Sequence, residues 1–439
     1  MMQWNSLLSQ NRFNKDKLQT AVEARSEFHK DYDRIVFSSA FRRLGRKTQV
    51  HPLSNNDHIH TRLTHSIEVG SVGRSLGLIV GEFLSENDEL PSGISPQEIA
   101  AIVQAACLAH DIGNPPFGHA GEFAIRHWFK ENGHKLNLEN IRERNDFQIF
   151  EGNAQGFRVV SKIENHYNNG GLRLTYATLG TLIKYPWFSD HALAKSKGKF
   201  NFFQSEMDVV ENISGELGLI NAGYNHYSRH PLSYLMEAAD DICYKILDIE
   251  DALELGMLRF DEVSGIFNKI AGKDSKYYSE VGENHTARRR ITNLRSMAIE
   301  NLINKCSKVF IDNYSEIMAG NYTSELIKDI DGIVKDGISE AKEVTTKNIF
   351  LHRRKIELEI GSYATLETIL DAFIVAINEL KSNDVVSFKS QRVLDLMGAN
   401  VVNKNSTYHE CYLRVTDLVS GMTDTHATHV ANQLSGRAL

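Results

Sequence analysis

Several histidines of this 439-residue chain are placed where they could bind a metal ion or move a proton. A His110-Asp111 pair stands 45 residues after His65, and His119 and Glu122 follow nine and twelve residues after His110. The His110-Asp111 pair, His119 and Glu122 all belong to the segment HDIGNPPFGHAGE, whose prolines and glycines constrain the backbone. An adjacent His-Asp pair alone is as typical of a helix-end histidine hydrogen-bonded to its neighbour as of a metal site. The dipeptide by itself therefore leaves both interpretations open.

Carboxylates recur in the segment 231–255, which the spacing of its apolar residues predicts to be a helix. Asp240, Tyr244 and Asp248 align on one side of it, opposite an apolar stripe. That stripe consists of Leu235, Ala239, Ile242, Ile246, Ile249 and Leu253. A solvated acidic face would show the same pattern. Together with His65 and His110, however, two carboxylates suit a hard or borderline divalent cation with coordination positions left for water and substrate.

The elements that position these residues are predicted to be helices. Apolar spacing predicts one helix over 62–84, and Ser95-Pro96-Gln97-Glu98 is typical of the start of the next, which we expect to end near His110. Gly113-Asn114-Pro115-Pro116 then ends the helix, so His110 and Asp111 should face a rigid loop. Further helices are predicted near 231–255, 286–311, 323–345, 362–381 and 408–434. We expect 130–230 to be irregular.

Composition favours an all-α protein, because only seven prolines and 30 glycines interrupt the chain. The net charge of −7 provides no general attraction for nucleic acid or an anionic membrane. Four cysteines without a CxxC pair are typical of buried, reduced thiols. We find no uninterrupted apolar run of ~18 residues and no apolar signal-peptide core at the start of the sequence. We therefore expect a cytoplasmic protein with no membrane partner.

The set His65, His110-Asp111 and Asp240 resembles the H…HD…D pattern of HD-domain phosphohydrolases. Six blocks, collinear from about residue 24 to the C-terminus, look more narrowly like the bacterial dGTP triphosphohydrolase (dGTPase) family. They are RRLGRKTQV at 42–50, HTRLTHSIEVGSVGR at 60–74, HDIGNPPFGHAGE at 110–122, EGNAQGFR at 151–158, EAADDICY at 237–244 and SGMTD at 420–424. Six blocks in order are far more specific than one His-Asp dipeptide.

The resemblance implies a single elaborated unit over 1–439, with an HD helical core at about 50–260 and additional C-terminal helices at about 261–439. It implies a divalent metal held by His65, His110, Asp111 and Asp240. Asp240 is preferred over Asp241 because the family places Tyr and Asp four and eight residues after this ligand. The mixed nitrogen and oxygen ligands favour Mn²⁺ or Mg²⁺, with Zn²⁺, Ni²⁺, Co²⁺ and Fe²⁺ also admitted.

The implied reaction is hydrolysis of a deoxynucleoside triphosphate to the deoxynucleoside and inorganic triphosphate. In similar proteins the residues corresponding to His119 and Glu122 form the catalytic pair. Phosphate contacts are implied for Arg62, Asn153, Lys184, Tyr185 and Lys199, and sugar or base contacts for Gln49, Val50, Tyr244 and Asp248. Arg392 and Glu367 are candidates for reading the base. A surface role stays open for Asn153, Tyr185 and the lysines, and Gln49 could instead be a helix-end or turn residue.

Two basic runs could bind an effector nucleotide or single-stranded DNA, namely Arg288-Arg289-Arg290 with Arg295, and Arg353-Arg354-Lys355. Exposed helix faces or subunit salt bridges would explain them as well. Related proteins assemble as homo-oligomers, often hexamers. Two rival functions stay open, another HD-type nucleotide phosphohydrolase and a nucleotide- or DNA-sensing protein with a vestigial site. The GNPPFGHAGE loop and the complete set of site residues favour the dNTP triphosphohydrolase.

Overall fold

The computed structural model describes residues 1–13, 25–49, 60–164, 170–272, 286–383, 385–398 and 402–437. Within these ranges the regular secondary structure is helical apart from isolated bridges and one short antiparallel hairpin, β1 (Asn221–Gly223) and β2 (His226–Tyr227), which confirms the all-α prediction. The α-helices are α1 (Trp4–Leu7), α2 (Glu27–Val36), α3 (Ser39–Arg43), α4 (Arg62–Glu86), α5 (Pro96–Ala109), α6 (His119–Glu131), α7 (Ile141–Gln148), α8 (Gly152–Arg158), α9 (Tyr176–Leu182), α10 (Ala192–Lys197), α11 (Met207–Leu217), α12 (Pro231–Glu254), α13 (Phe260–Ile270), α14 (Ala287–Asp312), α15 (Tyr314–Met318), α16 (Gly332–Thr345), α17 (Arg353–Ser382), α18 (Phe388–Asp395), α19 (Tyr408–Gly421) and α20 (Asp424–Leu434). Tighter 3₁₀ turns lie at Leu44–Arg46, Gly133–Lys135, Gln204–Glu206 and Leu326–Asp329, and π-helical turns at Val159–Ile163 and Thr346–Phe350.

A row of glycines on α4 lets this helix approach α5 closely. A β-carbon at Gly77 would lie 2.8 Å from the α-carbon of Ala100, and one at Gly81 would lie 2.8 Å from the α-carbon of Pro96. Only glycine allows the two backbones to pack at such a distance. The contact matters for function because His65 lies near the start of α4 and His110 lies just after α5, so the pair of helices brings the two imidazoles together.

Buried apolar residues form three clusters around this helix pair. The first joins α4 and α5 to α12, α13, α14 and α16. The second lies between α6, α7 and the C-terminal helices α17 to α20. The third joins the end of α5 to α2, α3, α8, α9 and α11. The helices α6 and α7 therefore share an apolar cluster with the C-terminal helices. All four cysteines are buried and form no disulfide, as predicted.

Among the described residues, one helical stretch, Lys355–Ser382 in α17, is long and apolar enough to span a membrane by length and composition alone, and 44% of its apolar 18-residue window is buried inside the protein. Its apolar side chains Leu366, Ile369, Phe373 and Ile377 lie in the second core cluster. The length and hydropathy of α17 are thus those of a core helix.

The secondary structure differs from the predictions in five places. The predicted helix at 323–345 is a 3₁₀ turn followed by α16, and α17 begins at Arg353 rather than 362. The predicted helix at 408–434 is two helices, because Met422 and Thr423 are extended and the Thr423 side chain caps α20. The region 130–230, expected to be irregular, contains α7 to α11. His119, expected on a constrained turn, is the first residue of α6.

Candidate functional site

Most of the predicted site residues line one cavity of about 460 Å³. Its wall combines the segment after the first 3₁₀ turn, the first residue of α4, the α5–α6 loop and the start of α8. The residues after α9 and α10, one face of α12 and the first turns of α17 complete it. The predicted residues lining it are Gln49, Arg62, His110, Asp111, His119, Glu122, Asn153, Lys184, Tyr185, Lys199, Asp240 and Tyr244. His65 lies behind this wall, buried against Asp240.

The side chains predicted to hold a metal form a compact cluster. Donor atoms of His65, His110 and Asp111 all lie within 4.8 Å of one another. The Asp240 Oδ1 atom lies 3.1 Å from His65 Nε2 and 3.5 Å from His110 Nε2. These residues come from α4, the end of α5 and α12, which are the elements the sequence predicted to carry them.

His110 is oriented for metal binding by its own backbone. Its Nδ1 atom lies 2.6 Å from the carbonyl oxygen of Cys107, and an N–H at Nδ1 donates to that oxygen. The atom left to bind a cation is Nε2, which is buried and has no hydrogen-bond partner in the described part of the chain. A buried ring nitrogen without a partner that faces two carboxylates fits a site for positive charge, and the cluster therefore fits a divalent metal.

The electrostatics of the cluster agree with this fit. Burial alone would lower the pKa of His110, but Asp111 and Asp240 outweigh burial and raise that pKa to about 9. Burial opposes ionisation of Asp240 as well, yet His110, His65 and Lys184 hold its pKa well below the usual range. The site therefore carries a negative potential that retains positive charge.

Arg62 and Asn114 fix the Asp111 carboxylate. Arg62 Nη1 lies 2.7 Å from Asp111 Oδ2, and the Asn114 amide donates to Asp111 Oδ1. Arg62 also passes beside Gly118, where a β-carbon would lie 2.6 Å from Arg62 Nη2. Arg62 thus supports the metal cluster in addition to lining the cavity. Asn114 was noticed in the sequence only as part of a helix-breaking turn.

His119 and Glu122 form a hydrogen-bonded pair on the first turn of α6. His119 Nδ1 lies 3.0 Å from Glu122 Oε2, and the His119 side chain is 75% exposed whereas Glu122 is buried. The backbone N–H of Gly152 donates to Glu122 Oε1 at 2.8 Å. Burial would raise the pKa of Glu122, but the positive charge of Lys199 and the bond to His119 hold it well below its usual value. Glu122 is therefore an ionised orienting partner for the imidazole.

The basic side chains of the cavity are held by buried carboxylates. Lys199 Nζ lies 2.5 Å from Glu151 Oε1, and the amide of Asn153 donates to the same oxygen at 3.0 Å. Lys184 Nζ lies 3.4 Å from Glu237 Oε1. Burial opposes the charge of Lys184, but Tyr185, Glu237 and the aspartates of α12 raise its pKa well above the usual value. The cavity therefore presents fixed positive charge opposite the metal cluster.

The residues predicted to contact sugar and base separate into three groups. Gln49 and Tyr244 line the cavity, and the buried Oε1 atom of Gln49 has no hydrogen-bond partner among the described residues. Asp248 is 2% exposed and lies behind the lining, and its Oδ2 atom likewise has no partner there. The acidic side of α12 is therefore not a solvated face. Val50 lies outside the described residues.

The structure does not bring Arg392 to this cavity. Its side chain is 66% exposed on α18 and pairs with Asp395 at 3.0 Å. Glu367 is exposed on α17 and does not line the cavity either. Lys355, in contrast, does line it, because α17 starts earlier than its apolar pattern indicates. The sequence signal for Lys355 was its place in a basic run.

The two basic runs have different surroundings. In the first run, Arg295 pairs with Glu250 at 2.7 Å and Arg288 lies 3.6 Å from Glu254, both on α12. In the second run, Arg353 is exposed and pairs with Glu357 at 2.8 Å, whereas Lys355 faces the cavity. Arg288 and Arg295 of the first run are thus engaged in ion pairs within the chain.

Gly113, in the loop between α5 and α6, makes close backbone contact with α8. A β-carbon there would lie 1.9 Å from the Gly156 backbone nitrogen and 2.3 Å from the Gly152 carbonyl oxygen. We expect Gly113→Ala to lower the free energy of unfolding by about 3 kcal/mol or more, because neither backbone can give way. Thermal unfolding of the purified variant measures this.

Gly215→Ala on α11 is the matched control, because a β-carbon there meets no atom within 4 Å. Alanine in a helix should leave stability unchanged or raise it by roughly 0.5–1 kcal/mol. Equal melting temperatures for the Gly113→Ala variant and the wild type would contradict the tight contact.

The chain is similar in sequence to several known proteins. A family model described as HD domain matches residues 62–173. A deoxyguanosinetriphosphate triphosphohydrolase-like protein of Pseudomonas aeruginosa is 48% identical over 442 residues, covering 100% of this chain and 99% of the relative. A like-named protein of a Synechocystis species is 38% identical over 453 residues, covering all of both chains. A deoxyguanosinetriphosphate triphosphohydrolase of Salmonella typhimurium is 31% identical over 478 residues, covering 91% of this chain and 92% of the relative.

Proposed function

The chain belongs to the deoxyguanosinetriphosphate triphosphohydrolase family of HD-domain proteins, and from this premise we propose that it hydrolyses deoxynucleoside triphosphates, dGTP among them, to the deoxynucleoside and inorganic triphosphate. One observation carries the proposal. A proton-transfer pair, His119 with Glu122, shares a cavity with a metal-type donor cluster and with buried lysines that can neutralise a polyphosphate.

The triphosphate binds along the basic side of the cavity. Lys184 and Lys199 neutralise its charge, and Tyr185 and Asn153 donate hydrogen bonds to its oxygens. Glu151 and Glu237 keep the two lysines in place, so little side-chain entropy is lost when the phosphate chain binds. Arg62 lies between the phosphate region and Asp111 and holds that carboxylate toward His110.

His65, His110, Asp111 and Asp240 would hold a divalent cation, Mn²⁺ or Mg²⁺ in our proposal. When bound, the cation supplies Lewis-acid polarisation of a phosphate oxygen and a lower pKa for a coordinated water. Glu122 keeps the His119 tautomer that is protonated at Nδ1, because that N–H donates to Glu122 Oε2. The Nε2 atom of His119 is then free to act as general base toward the water that attacks the α-phosphorus, or as general acid toward the sugar 5′-oxygen that departs.

The nucleoside occupies the end of the cavity formed by Gln49 and Tyr244. The Tyr244 ring packs against the deoxyribose and leaves no space for a 2′-hydroxyl. Gln49 Oε1 and Asp248 Oδ2 are buried acceptors without partners in the described structure, and we assign them to donors of the base and to the 3′-hydroxyl respectively.

The protein acts in the cytoplasm as a homo-oligomer in this proposal. Ile356, Ile360 and Tyr363 support assembly, because they form an exposed apolar row on α17 next to the cavity. An effector nucleotide or single-stranded DNA remains part of the proposal, with the second basic run preferred, since Arg288 and Arg295 of the first run pair with glutamates of α12.

A product assay tests the proposal. The purified protein is incubated with Mn²⁺ or Mg²⁺ and with each of the four dNTPs or GTP, and the products are separated by ion-exchange chromatography. We expect deoxynucleoside and triphosphate in equal amounts from dGTP, and at least tenfold slower turnover of GTP, because the pocket must reject one hydroxyl. Release of a nucleoside monophosphate with pyrophosphate, or of a nucleoside diphosphate with phosphate, would refute the proposed function. No turnover of any nucleotide would refute it as well.

A further inference from the structure

The backbone that presents His119 has an unfavourable conformation. Phe117 has φ +65° and Gly118 has φ +57°, immediately before the first residue of α6. A residue other than glycine, asparagine or aspartate rarely adopts such a φ unless the surrounding structure imposes it. The structure must therefore contain a group that holds Phe117 in place.

That group is Asp424, on the first turn of α20. Its Oδ1 atom accepts a hydrogen bond from the backbone N–H of Phe117 at 2.9 Å. Its Oδ2 atom accepts from the N–H of Thr48 at 3.1 Å and from the Thr48 hydroxyl at 2.8 Å. Asp424 is 1% exposed and does not line the cavity, whereas Thr48 and Phe117 do.

Lys47 makes a second connection between the same three segments. Its buried Nζ atom donates to the carbonyl oxygens of Asn114 and Ser420, each at 2.5 Å. Asn114 belongs to the loop before His119, and Ser420 lies at the end of α19. A buried carboxylate and a buried ammonium group thus join the C-terminal helices to both loops of the cavity.

We propose that Asp424 is a positioning residue for the reaction, which holds the Phe117-Gly118 turn and the Thr48-Gln49 segment so that His119 and Gln49 meet the same substrate. This inference rests on the proposed function. It gives the helices α19 and α20 a task in catalysis, although they contribute no residue to the lining of the cavity. Asp424 acts through His119 and touches no reacting atom.

Asp424→Asn is the informative variant, because both carboxylate oxygens act as acceptors and asparagine keeps only one. Its amide nitrogen must then face either the Phe117 N–H or the Thr48 N–H. We expect kcat for dGTP to fall by about 10²-fold, as for a misplaced catalytic group. We expect KM to rise by a smaller factor than kcat falls, since the Gln49 contact to the base is disturbed while the phosphate-binding lysines are not touched.

A second measurement follows the loop itself and does not depend on turnover. Hydrogen exchange read by mass spectrometry should be faster in peptides covering 113–122 and 44–49 of the Asp424→Asn variant, and unchanged in α4 and α12. Thr428→Val is the matched control on α20, because Thr428 donates only to the Asp424 carbonyl oxygen. It should keep the kcat and the exchange pattern of the wild type.

Thr48→Val and Thr48→Ser provide a milder test should the Asp424→Asn chain fail to fold. Valine removes the hydroxyl that donates to Asp424, and serine keeps it. We expect a lower kcat for the valine variant and recovery with serine. Wild-type kcat in Asp424→Asn, or equal kcat in the two Thr48 variants, would overturn the positioning role. No turnover by the wild type would instead refute the proposed function, and faster loop exchange in Asp424→Asn would still identify Asp424 as the group that holds the loop.

Discussion

The His119→Ala protein is expected to hydrolyse dGTP with a kcat about 10³-fold below that of the wild type, within the range typical of general acid–base groups. The imidazole is exposed to the cavity, and its Nδ1 atom is held 3.0 Å from the ionised Glu122. Removing it leaves the metal ligands and the phosphate-binding lysines intact. Binding of a non-hydrolysable dGTP analogue, measured by calorimetry, should therefore be nearly unchanged while steady-state turnover falls.

Two further variants identify the source of this loss. Glu122→Gln keeps a side chain of the same shape but removes the charge, and we expect a smaller fall of about 10- to 10²-fold, because the imidazole loses its orienting anion. His134→Ala is the control, because His134 is exposed on a 3₁₀ turn and does not line the cavity. Wild-type kcat in the His119→Ala protein would remove this residue from the mechanism.

Asp240→Asn is expected to lose the bound metal and to lower kcat by about 10³-fold or more, equivalent to several kcal/mol of transition-state stabilisation. The Asp240 carboxylate lies beside both imidazoles of the cluster, and its pKa is held well below the usual range. An amide at this position leaves the cluster with one negative charge. Metal content by plasma mass spectrometry and dGTP turnover, measured on the same sample, test the prediction.

The neighbouring Asp241 offers a close control. It does not line the cavity and lies 3.9 Å from Lys245, and burial raises its pKa to about 6, so a neutral amide should replace it easily. Asp241→Asn should retain both metal and turnover. Chelation should abolish wild-type activity, and added Mn²⁺ or Mg²⁺ should restore it. Metal lost from Asp241→Asn but retained by Asp240→Asn would contradict the ligand assignment.

The sequence predicted the core of the site well because its signals are local. Helical spacing and the Gly-Asn-Pro-Pro turn locate His110 at a helix end, and the block pattern relates it to His65 and Asp240. The structure adds the reason that these distant residues meet, which is the close packing of α4 on α5 through Gly77 and Gly81.

The parts of the site that the sequence did not reveal depend on tertiary contacts. Asp424 and Thr48 are 376 residues apart, and no periodicity relates them. Lys355 reaches the cavity because α17 begins nine residues before its predicted start. In these first turns of the helix, the exposed side chains of Ile356 and Ile360 obscure the apolar pattern. Arg392 lies outside the six sequence blocks that resemble the family. Its place on the surface of α18 could be determined only from the packing of that helix.

Attack of water on the α-phosphorus is the central claim, and turnover of dGTP in H₂¹⁸O tests it most directly. Mass spectra of both products should show one ¹⁸O atom in triphosphate and none in deoxyguanosine, because the bond broken is the one between the α-phosphorus and the 5′-oxygen. Label in deoxyguanosine would place the attack at the sugar carbon, and dGMP or dGDP as a product would show that a phosphorus–oxygen bond other than the one to the 5′-oxygen is broken. Either result would contradict the account.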